Sequence, residues 1–173
     1  SSGGGAINLV AADDIALGGD VNATAGTVTI TADSGAQDTA PDTDGAITRT
    51  AGTVTGGTVS LNAEEGIAAT TAATTLNAVN QSTAGDIVVT EANDVTLGTV
   101  TNAFATGAVT VTTTDGTITT GAVAVTASNG VITLTANDAS ADNTTPEGIT
   151  VGAGGISSGG GAINLVAADD IAL

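Results

Sequence analysis

The chain has 173 residues, 41% of them apolar, and carries 18 acidic side chains against one cation, Arg49, for a net charge of −17. It has no His, Cys or Lys, so the commonest general base, the thiolate nucleophile and the Schiff-base amine are all missing. So acidic a surface also excludes nucleic acid and anionic lipid as partners, because both demand a basic one.

The opening segment SSGGGAINLVAADDIAL, Ser1 to Leu17, returns letter for letter as Ser157 to Leu173, displaced by 156 positions. Identity over surface as well as core letters implies tandem duplication of a long unit. Residues 1–156 form one full repeat and residues 157–173 begin the next. Along the repeat, apolar residues alternate with Thr, Ser and Asn in short runs, which is the period of half-buried strands. The first strands of successive coils are Ile7/Leu9, Val28/Ile30, Val59/Leu61, Ile87/Val89, Val109/Val111 and Ile132/Leu134, with Ile163/Leu165 opening the next unit. Each is introduced by Gly, directly or through one or two small residues.

Acidic or Asn-containing turns then lead to second strands, as at DDIAL (13–17), EEGIAA (64–69), NDVTL (93–97), DGTITT (115–120) and EGITV (147–151). Third strands follow at Val21, Val54, Leu76, Val100, Val123/Val125 and Ile156. Three short parallel strands per coil and six coils per 156-residue repeat make the expected fold all-β, a parallel β-helix or β-solenoid. Two coils are lengthened by DSGAQDTAPDTDG and NDASADNTTPEG, expected to project as loops 33–45 and 137–148. A single coil buries too few side chains to offset its backbone entropy, so stability must be cooperative along the stack. No apolar run has transmembrane length.

The recurring glycine, alternating Val/Ile/Leu and following Asp or Gly, as in GGAINLVAADDIAL and GVITLTAND, resembles the repeats of filamentous-haemagglutinin-type adhesins and related giant bacterial surface proteins. The resemblance covers essentially the whole chain through a loose motif. It implies a right-handed β-helix, export to the cell surface and service as a stalk, fibre or adhesin, and it transfers no catalytic residue.

Four constellations have chemistry to offer. The carboxylates Asp33, Asp38, Asp42 and Asp44 supply the hard oxygen ligands Ca²⁺ takes, and the same residues also suit a solvated acidic loop. Asp13/Asp14, Glu64/Glu65 and Glu91 with Asp94 are acidic turns of the same two readings. Thr-x-Thr pairs at Thr29/Thr31, Thr110/Thr112 and Thr133/Thr135 would face outward, either as an ice-binding row or as ordinary exposed-strand threonines. Of the sequons at Asn22, Asn80 and Asn143, the last lies in an expected loop and is the glycosylation candidate. Phe104, the only aromatic residue, is expected to fill the core.

The function expected is a non-enzymatic extracellular fibre, stalk or surface filament, with the chain itself as partner through continuation of the solenoid or head-to-tail stacking. An adhesin whose acidic loops bind calcium, a protein or cell-surface carbohydrate is the alternative, and ice binding is third.

Overall fold

A computed structural model describes residues 1–33, 45–81, 84–139 and 147–173. Among them there is no helix. Seventeen strands form one sheet with parallel pairing throughout, in keeping with a sequence rich in Val, Thr and Gly and without a 3.6-residue apolar period.

The strands follow one another in a fixed rotation through three stacked columns. The first circuit holds β1 (Ile7–Val10), β2 (Ile15–Gly18) and β3 (Val21–Asn22), and the second β4 (Thr27–Thr31), β5 (Ile47–Ala51) and the start of β6 (Val54–Ala63). The end of β6 and the first part of β7 (Ile67–Asn80) make the third. From Leu76 onward β7 leads into the fourth, with β8 (Ile87–Glu91) and the start of β9 (Val95–Asn102). The end of β9, β10 (Val109–Thr113) and β11 (Ile118–Thr120) make the fifth. Then come β12 (Val125–Ala127), β13 (Ile132–Ala136) and β14 (Ile149–Thr150), and finally β15 (Ile156–Ser158), β16 (Ile163–Ala167) and β17 (Ile171–Ala172).

Inward side chains stack in register, and the first two columns are continuous aliphatic ladders. The first runs Leu9, Ile30, Leu61, Ala78, Val100, Val125, Ile156. The second runs Ile15, Ile47, Ile67, Ile87, Val109, Ile132, Ile163. The third is interrupted: Val21, Val54 and Thr71 stack in register, Thr71 is followed by Glu91, and Val95, Ile118, Ile149 and Ile171 form a second run. From Val28 to Ile149 most of these side chains are fully buried, each covering about 1.5–3 kcal/mol of transfer free energy.

This register corrects the sequence reading at one place. Counted as successive first strands, Ile87 should stack on Val59; instead Val59 pairs with Leu76, while Ile87 pairs with Ile67 in the second column. The cause is β7, which passes through corners without an intervening turn, its small residues Ala69 and Ala73 buried on the inner side. That circuit is therefore shorter than any glycine-to-glycine count suggests. As a result the copied segment does not return to its starting column: Ile7 stands in the first column and Ile163 in the second. Six circuits do not complete the repeat; it takes six and one further column. Of the expected third strands, Val21 and Val54 lie in the third column, but Leu76, Val100, Val125 and Ile156 lie in the first.

Close axial stacking dictates glycine at some corners. A Cβ on Gly130 would collide with the Gly107 carbonyl oxygen, and one on Gly161 with that of Gly130. Gly130→Ala should therefore cost about 1–3 kcal/mol through forced separation of circuits. Gly3→Ala, where a Cβ meets nothing within 4 Å, should stay within about 0.5 kcal/mol of the parent. Urea unfolding midpoints of the two variants check the contrast.

Candidate functional site

The polar side chains that the fold brings together lie at the column corners, and their work is axial. Asp14, Asp20, Asp86 and Asp94 each stand immediately before the first apolar residue of a strand. The carboxylate of each accepts the backbone N–H at the corresponding position one circuit further on, from Ala46 at 2.8 Å, Thr53 at 2.9 Å, Ala108 at 2.8 Å and Thr117 at 2.7 Å. A charged acceptor on a backbone N–H is a strong hydrogen bond. All four run in the same axial direction, toward the C-terminus. The acidic turns thus clamp consecutive circuits, and the pattern was legible as Asp directly before Ile or Val.

Two asparagines form an interior ladder between the first and second columns. Asn80 and Asn102 are buried. The Asn80 Nδ2 donates to Asn102 Oδ1 at 3.0 Å and to the carbonyls of Ala84 and Gly85 at 2.7 and 3.1 Å, while its Oδ1 accepts the Gly66 N–H at 2.7 Å. Asn102 Nδ2 in turn donates to the Gly85 and Ala108 carbonyls, and its Oδ1 accepts the Phe104 N–H. These bonds tie down corner backbone groups, among them the Gly66 and Phe104 N–H and the Ala84 and Gly85 carbonyls. Both residues fall on the inward phase, two positions after Ala78 and Val100, where an Asn is conspicuous in hindsight. Asn80 is therefore enclosed as a glycan acceptor, whereas Asn22 is exposed. Phe104 is half-buried in a turn outside the core.

Glu91, expected in a solvated acidic turn, points inward and is fully buried. It accepts hydrogen bonds from Thr71 Oγ1 at 2.7 Å and from the backbone N–H groups of Ala73 and Ala92 at 3.0 and 2.9 Å. Burial pushes its carboxyl above the usual carboxylate value, and those hydrogen bonds, with one from the Asn93 N–H, offset part of the rise.

Asp38, Asp42, Asp44 and Asn143 lie outside the described residues. Asp33 is described, half-buried with φ 54°, its N–H toward the Asp13 carbonyl at 3.4 Å. Carboxylate oxygens of Asp115, Asp138 and Glu147 come within 4.8 Å of one another beside the second expected loop, a grouping sequence spacing did not suggest. The Thr-x-Thr pairs divide between two columns. Thr110/Thr112 and Thr133/Thr135 stack directly in the second, whereas Thr29/Thr31 stack on Ser60/Asn62 in the first. The sole cation, Arg49, is exposed and donates from Nε to the Gly52 carbonyl at 2.8 Å.

At the last circuit the stack presents an apolar strand edge: Ile163 is 43% and Ile171 45% exposed, where Ile132 and Ile149 one circuit below are 0% and 1%. Asp170 stands before Ile171 as Asp14 stands before Ile15. No family model matches the chain, and neither a curated protein nor a solved structure matches it.

Replacing Asn102 by Ala removes the acceptor of the Phe104 N–H and one donor each from the Gly85 and Ala108 carbonyls, which keep Asn80 Nδ2 and the Ile87 N–H, and should cost about 1–3 kcal/mol, read as a lower denaturation midpoint. Glu91 should give stability a negative slope with pH. Its folded-state carboxyl binds a proton more readily than the unfolded one, so the folded form gains as pH falls from neutral through the raised value and gains nothing more below the unfolded value near about 4.3. Glu91→Gln should flatten that part of the profile, which melting curves across the acidic range would reveal as a difference between the two proteins.

Proposed function

We propose that this chain is a segment of a parallel β-helix built from tandem repeats, serving as an extracellular fibre, stalk or surface filament without catalysis. The observation that carries the reading is axial: parallel ladders join each circuit to the next, and aspartate clamps from Asp14, Asp20, Asp86 and Asp94 reinforce the first-to-second and fourth-to-fifth junctions. The identical copy beginning at Ser157 supplies the continuation of such a stack. A right-handed path agrees with the strong preference of parallel crossover connections. The absence of His, Cys and Lys supports a scaffold role, and the negative surface would keep neighbouring rods apart. The resemblance to filamentous-haemagglutinin-type repeats favours the cell surface as the place of work.

Chains carrying one, two and four of the 156-residue units should lengthen by roughly 30 Å per unit at constant cross-section, given about 4.8 Å between stacked strands. Small-angle scattering or electron microscopy measures this directly. Growth in all dimensions, as of separate globules on linkers, would refute the rod. For location, protease treatment of intact producing cells should remove the chain from their surface.

A further inference from the structure

We infer that the repeat is built out of phase with the coil: each 156-residue unit advances the chain by six circuits and one column, so successive identical units present the same segment on successive faces of the rod. The inference rests on the proposed β-helical rod and adds to it a rule for what faces outward, and where.

Two independent observations meet here. One is the sequence copy, Ser1–Leu17 against Ser157–Leu173, identical in every letter. The other is the register. The first copy places Ile7 and Leu9 in the first column, paired with Val28 and Ile30, and Ile15 in the second, paired with Ile47. The second copy places Ile163 and Leu165 in the second column, paired with Ile132 and Leu134, and Ile171 in the third, paired with Ile149. The same residues form strands in both settings, so the columns are interchangeable hosts for one segment.

Three columns and an advance of one per unit mean that phase returns only after three units. A partner that recognises one segment of the repeat, such as a protein or glycan docking on the strand that begins at Ile7, would meet it at roughly 30 Å axial intervals, rotated by about a third of a turn each time. The surface then offers equivalent sites all round the rod, and no single side accumulates them.

Paired cysteines in the intact chain test the slip where it arises. Asn62→Cys with Val79→Cys joins register partners in the structure. Asn62→Cys with Thr90→Cys joins the positions that would stack if the repeat were in phase. Thr112→Cys with Thr135→Cys is stacked under either arrangement. Mild oxidation followed by peptide mapping should link positions 62 and 79, link positions 112 and 135, and leave the 62/90 variant unlinked. Linkage of 62 to 90 in place of 79, linkage of both, or linkage of neither while 112 joins 135, overturns the advance and leaves the stacked rod standing. Failure of the 112/135 pair overturns the rod itself.

Discussion

A strand in a parallel ladder has its N–H and C=O groups satisfied only when it has a neighbour on either side along the stacking axis. Everything else in this chain answers to that constraint. Interior circuits have both neighbours and bury their inward-facing Val, Ile and Leu; the outermost circuits have one, and the isoleucines of the last stand half in solvent. Corners, where ladders break, are the places where the buried polar network sits. There Asn80 and Asn102 tie down backbone groups, and Glu91 gathers the N–H groups of a corner that β7 and β8 share. Buried groups so fully partnered tend to fix one arrangement over its competitors.

The strong negative charge acquires a structural reading on this footing. Carboxylates at Asp14, Asp20, Asp86 and Asp94 are occupied by backbone N–H groups of the following circuit. They stiffen the axis as well as colouring the surface.

Much of this was legible in the sequence. Alternation revealed the strands at Ile7, Val28, Val59, Ile87, Val109 and Ile132, and their inward side chains were assigned to the correct face in each case. What alternation cannot say is which column a strand belongs to, because Val28 and Val109 share a Gly-x-Val-Thr pattern in sequence and have different neighbours in space. Glycine announces that a strand follows a corner, and every column has corners. The register was therefore lost at β7, where a corner is made by alanine and no turn residue marks it. The inward Asn and Glu were legible by phase alone, yet composition argues for placing such residues in turns, and here the local pattern of two outweighs the general preference. Asp14 and Asp94 read as turn residues for good reason, but the partner each clamps lies 32 or 23 residues away, a distance at which sequence spacing carries no information.

The single extra column per unit also bears on how such a gene can change. Tandem copies invite unequal recombination, which adds or deletes whole units. In a rod whose unit held a whole number of circuits, that would alter length and nothing else. On the proposed advance of one column per unit, each unit gained or lost also twists everything beyond it by a third of a revolution relative to everything before it. Copy number thus becomes a rotary setting, and variants of n, n+1 and n+2 units would aim the same tip in three different directions.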